Sequence, residues 1–147
     1  MTLICPPERY NYTLQGSCID PRRIGRPYRF IFSNGVAGPR PCNTHNAAIR
    51  IDVTTGKVTT WSRPNLIMAG PVTFLPRPGA AEADETDGVV LLDCITTAGG
   101  GLFVFLDALT FTEVARIALP HRHTCALQST WVFCEPEAPS VVVKQEH

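Results

Sequence analysis

The sequence lacks the signals that mark several classes of protein. Lysine plus arginine and aspartate plus glutamate each number 13, so the formal net charge is +0 with histidine neutral. Without a cationic excess, nucleic acid is not an expected partner. No apolar run reaches the roughly 18–20 residues of a spanning helix. Residues 1–8 have no basic start and no long apolar stretch, which argues against a secretory signal. We therefore expect an intracellular chain, cytoplasmic or at a membrane surface, in an undetermined organelle.

Paired cysteine motifs are also missing. The chain has six cysteines, but none stands in a C-x-x-C pair, which removes the strongest zinc-ribbon or redox pattern. An even number permits three disulfides, yet disulfide scaffolds are usually shorter secreted chains. The sequence therefore favours free thiols.

Helical periodicity is absent, and strand patterns take its place. Short apolar or alternating runs are bounded by Gly, Pro, Asn or Asp, which is typical of β-strands, and 147 residues suit one domain. Residues 80–85 read as a loop, and residues 99–101 as a turn and not a phosphate loop. We predict eight strands, at Tyr28–Ser33, Ala48–Val53, Val58–Trp61, Pro71–Leu75, Val89–Ile95, Leu102–Asp107, Val114–Leu119 and Thr130–Cys134.

Two predicted hairpins follow one pattern. In each, an aspartate (Asp52 or Asp107) ends the first strand, where its carboxylate can accept hydrogen bonds from turn amides. We interpret both as turn caps and not as a catalytic pair. The two aspartates are 55 residues apart (107 minus 52), close to the roughly 40–50-residue period of propeller blades. On pattern alone, a β-sandwich remains the alternative.

Five segments, in order and spacing, resemble those of carotenoid cleavage oxygenases. Residues 22–30 (RRIGRPYRF) are similar to the family's P-R-Y-x-G-R-P-Y-R-Y, and residues 51–58 (IDVTTGKV) to its V-D-L-x-T-G-E-V. Residues 71–80 (PVTFLPRPGA) resemble E-P-V-F-V-P-R-P-G-A, and 87–91 (DGVVL) resemble D-D-G-V-V-L. Residues 106–122 contain L-D-A, E-V-A-R and L-P-H-R. The resemblance covers about residues 16–133.

The resemblance implies an all-β fold, a seven-bladed β-propeller of which this chain forms about the last two blades. It also implies a non-haem Fe(II) on the propeller axis, bound by four histidines that glutamates orient, and dioxygen-dependent cleavage of a carotenoid or apocarotenoid double bond. Neutral imidazoles suit Fe(II), and carboxylates behind them set their orientation. A membrane surface is an implied partner, because the polyene substrate resides in lipid.

The sequence departs from the family at the metal site. On the resemblance, Gln128 takes the position of the fourth iron histidine, and Gly70 that of a supporting glutamate. The other three ligand positions precede anything present here. An amide oxygen is a weaker Fe(II) ligand than imidazole. We therefore predict no catalytic residue, no cofactor-binding residue and no bound iron in this chain.

The domain organisation follows from the resemblance. We expect a divergent segment at 1–15, the propeller portion at 16–134 and a tail at 135–147.

A replacement metal site is the alternative we weigh against ordinary strand residues. His121, His123 and Cys125 alternate along one strand face, and His45 or Cys134 could add a fourth ligand. Because His121 matches a family position that is not an iron ligand, we favour the ordinary reading.

Charged side chains form two further clusters. The acidic residues of segment 82–87 lack a calcium-loop pattern, so we interpret that segment as a solvated loop. Four arginines surround Pro27, at positions 22, 23, 26 and 29. A phosphate or lipid-headgroup contact is conceivable there, but zero net charge argues against it.

Two functional hypotheses follow. The first is a carotenoid oxygenase by descent that is inactive as this chain alone. The second is a non-catalytic β-rich binding module, or a truncated gene product, that self-associates through open strand edges.

Overall fold

A computed structural model of the chain describes residues 14–36 and 45–120, and these residues form antiparallel β-structure with one short 3₁₀ turn. The bounds are β1 Leu14–Cys18, 3₁₀ turn Pro21–Arg23, β2 Phe30–Gly35, β3 Ala47–Asp52, β4 Lys57–Ser62, β5 Leu66–Met68, β6 Thr73–Pro76, β7 Gly88–Thr96, β8 Gly101–Asp107 and β9 Glu113–Ala118.

The first sheet contains β1 to β4 side by side in chain order. All neighbouring pairs are antiparallel, and the β2–β3 and β3–β4 registers run without interruption. β1 is irregular, because its pairing with β2 shifts between Gln15 and Cys18. Gly16 lies at this shift with a φ of 59°, a conformation that side chains disfavour.

The second sheet repeats this arrangement with a divided first strand. β7 is the long central strand, and β8 and β9 follow on one side of it. On its other side, β5 pairs with the end of β7 and β6 with its beginning. Four residues, 69–72, separate β5 from β6, whereas only two residues of β7 lie opposite them. β3 and β8 thus occupy the same place in their sheets, in agreement with the spacing of the two hairpins.

An apolar layer joins the two sheets. Phe32 from the first sheet is fully buried and stacks on Phe74 of the second, with ring centroids 5.4 Å apart and planes 7° apart. The Phe111 ring lies 6.4 Å from the other side of this cluster. Val90, Leu92, Cys94, Val104 and Leu106 are among the further members.

β3 is buried on both faces. Ala48 belongs to the layer between the sheets, whereas Ala47, Ile49 and Ile51 form a second cluster on the opposite face. Successive residues of a strand point to opposite sides, so a strand that is covered on both reads as a nearly continuous apolar run.

Arg50 connects the sheets at the edge of this layer. Its guanidinium donates to the Ala108 carbonyl at 2.6 Å and also to that of Leu109. The same group lies 5.4 Å from the Phe111 ring and 5.6 Å from the Phe30 ring. Phe111 has a φ of 59°, which is uncommon for a non-glycine residue. Its burial in the core and its contact with Arg50 offset this strain.

The two aspartates cap their turns, as predicted. The Asp52 carboxylate accepts from the amides of Thr54 and Thr55, and that of Asp107 accepts from Thr110. Asp52 also pairs with Arg29 at 2.8 Å, and this hydrogen-bonded ion pair holds the Asp52 pKa well below its usual range. The Thr110 hydrogen bonds lower the pKa of Asp107.

The predicted strands agree with the structure in seven places, with ends that differ by one or two residues. The eighth, Thr130–Cys134, lies outside the described residues. Tyr28 and Arg29 were placed in a strand, which is wrong, because the Arg29 amide donates to the Glu85 side chain instead of a neighbouring strand. β1 and β5 were not predicted. The loop at 80–85 and the turn at 99–101 are as expected.

Phe32→Ala tests the inter-sheet layer. We expect it to lower the free energy of unfolding by about 3–5 kcal/mol, because the cavity opens between two packed rings. Chemical denaturation of both chains measures the difference. Val114→Ala, at a site that is 58% exposed, is the matched control and should change stability by less than about 0.5 kcal/mol. Equal effects at both positions would contradict the packing described.

Asp52→Asn tests the ion pair by its pH dependence. Because the folded pKa lies below the ordinary value of 3.8, the stabilisation is complete above that value and is lost as the pH falls below it. We expect the stability of the natural chain to fall between about pH 5 and pH 2, and less so in the variant. Arg29→Gln should remove much of the same dependence, since Arg29 is its main cause. Parallel acid curves for all three chains would contradict this assignment.

Candidate functional site

The interruption between β5 and β6 places Gly70 in a buried polar environment. The preceding amide, that of Ala69, donates to the Asp93 carbonyl of β7 at 2.7 Å. The Gly70 carbonyl accepts from the Asn34 side-chain amide at 2.6 Å. Val72 donates to the Gly16 carbonyl at 3.2 Å. The interrupted strand is thus held by β7 on one side and by the first sheet on the other.

Asp93 occupies the space into which a side chain at position 70 would extend. A Cβ built on Gly70 would lie 2.8 Å from the Asp93 Oδ2 atom and 3.2 Å from its Cβ. Gly70 lacks a positive φ, so the close approach, and not backbone conformation, requires glycine here. Asp93 is only 8% exposed. The sequence showed that a carboxylate is missing from position 70 and did not show that a neighbouring strand brings one there.

Asn34 adds a second buried acceptor at this place. The residue is 4% exposed, and its Oδ1 atom has no hydrogen-bond partner. Its side-chain nitrogen is committed to the Gly70 carbonyl, so the orientation of the amide is fixed. A buried acceptor without a donor is costly and unusual. Asn34 therefore marks this polar pocket as a candidate functional site.

The candidate metal ligands are mostly outside the part of the chain that the structure describes. This applies to His121, His123, Cys125 and Gln128, and to Cys134. His45 is described, and its carbonyl accepts from the Met68 amide at 2.8 Å. Within 14–36 and 45–120, no three His, Cys, Asp or Glu residues are grouped so that they could bind a metal ion.

We therefore tested the site against the iron centre that the resemblance implies. The buried Asp93 carboxylate beside Gly70 fits a supporting group, because ligating histidines usually donate their second ring N–H to such an acceptor. The described residues fit this supporting role and do not by themselves supply a set of ligands.

The arginine cluster is engaged by the acidic loop. Arg22 pairs with the buried Asp20 at 2.7 Å, and its guanidinium also donates to the carbonyls of Ala80 and Asp84. Glu85 accepts from two backbone amides at the start of β2. The interpretation of segment 82–87 as solvated throughout is therefore wrong for Glu85, whose side chain is 11% exposed. Because these charges neutralise each other, the cluster is poorly suited to binding phosphate.

Two of the six cysteines are described, and both are free. Burial raises the pKa of Cys18 to about 11 and that of Cys94 to about 12. Thiols with such values are protonated at neutral pH and react slowly. For these two residues the prediction of free thiols is confirmed, and neither suits a catalytic role.

No helix in the described part of the chain is long and apolar enough to cross a membrane.

Comparison with curated proteins identifies relatives over most of the chain. It is 33% identical to carotenoid cleavage dioxygenase 8 of Arabidopsis thaliana over 125 residues, which is 85% of this chain and 21% of the relative. It is 36% identical to the β,β-carotene 15,15'-dioxygenase of Rattus norvegicus over 78% of this chain and 20% of that protein. The chain thus spans about a fifth of the length of these relatives.

Solved structures agree with this result. The cobalt-substituted apocarotenoid oxygenase of Synechocystis has a TM-score of 0.70 and 26% identity, over 82% of this chain and 24% of that one. A variant of the same enzyme has a TM-score of 0.77 at 24% identity, over 89% of this chain and 26% of that one. The all-β, antiparallel fold is therefore that of these oxygenases.

The family model described as RPE65, retinal pigment epithelial membrane protein, matches residues 11–133. Together with the relatives, this match shows that the chain belongs to the RPE65 and carotenoid cleavage oxygenase family.

Proposed function

We propose that this chain forms two neighbouring blades of a carotenoid oxygenase propeller. Each sheet has four strand positions in chain order, and equivalent hairpins recur 55 residues apart. The layer around Phe32 is then the interface between adjacent blades. β3, which is buried on both faces, suits a blade that is covered on each side. Residues 16–134 would constitute this portion.

The reaction we assign to this ancestry is the dioxygen-dependent cleavage of a double bond in a carotenoid or apocarotenoid. When bound, Fe(II) supplies the oxygen chemistry. The observation that carries the assignment is the family match over residues 11–133, together with relatives that are carotenoid dioxygenases. What this chain contributes is a scaffold and a buried carboxylate beside the strand interruption.

We further propose that this chain alone does not catalyse the reaction. Gln128 stands where the family resemblance places an iron histidine, and glycine stands at position 70. Amide oxygen is a weak substitute for imidazole on Fe(II). A supporting carboxylate cannot compensate for absent ligands, because it acts only through the histidine that it orients.

Anaerobic loading with Fe(II), followed by exposure to air with β-carotene or an apocarotenal, tests this proposal. We expect no apocarotenoid product above a protein-free control and no stoichiometric iron. Product formation would overturn the inactivity. Stoichiometric Fe(II) or Zn(II) that is lost in His123→Ala would also overturn it, in favour of the site at His121, His123 and Cys125.

A non-catalytic interaction module is the second candidate, and the sheet edges favour it. Among residues 14–36 and 45–120, β4 and β9 each pair on one side only. β9 exposes Val114 (58%) and Ile117 (53%). Unpaired edges with exposed apolar residues are templates for association.

Size-exclusion chromatography with light scattering tests self-association. We expect a dimer or larger species whose fraction rises with concentration, and Ile117→Lys should shift it toward the monomer. Ile24→Lys, at a site that is 73% exposed but lies in a loop, is the control and should leave the distribution unchanged. A monomer at all concentrations would contradict association through the edges.

A further inference from the structure

The buried carboxylate of Asp93 has no evident purpose in the packing of β7. This strand is otherwise apolar, with the sequence GVVLLDCIT, and its neighbours Leu92 and Cys94 belong to the core between the sheets. Burying a charge in a strand is costly unless something pairs with it. Asp93 also restricts its neighbourhood, because its side chain leaves room only for glycine at position 70.

We propose that Asp93 supplies, from β7, the supporting carboxylate that position 70 does not, and acts as a positioning residue for a metal-binding histidine outside the described residues. This inference rests on the proposed function. It assigns to Asp93 a role that the family resemblance places one strand away.

The geometry supports an exchange between the two positions. Adjacent strands are about 4.8 Å apart, so side chains on neighbouring strands reach the same space. The Asp93 Oδ2 atom lies 2.8 Å from the point at which a side chain at position 70 would begin. A carboxylate therefore lies at this point of the fold, although it is attached to a different strand.

The surroundings suit an acceptor for an imidazole N–H. Asp93 is 8% exposed and Asn34 is 4% exposed, so water competes little with a donor at either group. Asn34 offers a second acceptor, its unpartnered Oδ1, next to the same backbone segment. A fixed carboxylate that accepts the second ring N–H sets the tautomer and angle of a ligating histidine.

The exchange predicts energetic coupling between positions 70 and 93 in this chain. Gly70→Ala should lower the folding equilibrium constant by about tenfold, because the added Cβ overlaps the Asp93 carboxylate. In an Asp93→Ala background, the same substitution should change the constant by less than about twofold. Gly100→Ala is a control, since its Cβ would approach nothing closer than Thr96 Oγ1 at 3.3 Å. Additive effects at positions 70 and 93 would overturn the shared space.

The carboxylate's role is tested in the Synechocystis apocarotenoid oxygenase, a full-length relative whose cobalt-substituted form has been solved. Its residue aligned with Gly70 is replaced by glycine, alone and together with aspartate at the position aligned with Asp93. Metal stoichiometry and the visible absorption of bound Co(II) are measured. We expect the glycine variant to bind cobalt about 10–100-fold more weakly, and the double variant to recover most of this loss and the absorption spectrum.

A double variant that binds cobalt no better than the single glycine variant would overturn the role of Asp93. Recovery by asparagine at the Asp93 position, as complete as by aspartate, would also overturn it, because a purely structural residue needs only the shape. Neither outcome bears on whether the chain studied here cleaves carotenoids, so failure of this inference and failure of the proposed function are distinguishable.

Discussion

The contact between the two sheets is the constraint on which the rest of the structure depends. Each sheet alone is a four-position meander that would expose one apolar face to water. Phe32 closes this gap by stacking on Phe74 and lying against Phe111, and all three rings are almost completely buried. Burying such rings supplies much of the stability that a sheet protein of this size requires. The unusual backbone of Phe111 and the long reach of Arg50 both follow from the need to seal this layer.

Charged groups fix the ends of the sheets where apolar packing stops. The segment before β2 and the loop before β7 come from different sheets, and arginines of the first bind carbonyls and carboxylates of the second. Asp20 is almost fully buried, so its pairing with Arg22 is required to compensate for lost hydration. These contacts set the relative position of the sheets and leave few basic side chains available to outside ligands.

The sequence predicted the elements whose pattern is local. Alternating apolar residues and turn residues identified β2, β3, β4, β6, β7, β8 and β9, and both aspartate caps. β1 was hidden because Gly16 interrupts its pattern and its residues are mostly exposed. β5 has only three residues and is a strand by virtue of its pairing with β7. The engagement of Arg22 with residues almost 60 positions away had no local signal. Asp93 did have one: a carboxylate inside an apolar run is an anomaly that sequence reading can detect.

The interruption between β5 and β6 also bears on how such a chain can diverge. Four residues cross a distance that two residues of β7 span, so the segment has slack and the registers on its two sides are set independently. Insertions or deletions within it can be absorbed without turning either strand over. Lineages can therefore alter the length and chemistry of this inner segment while the surrounding β-ladders stay the same.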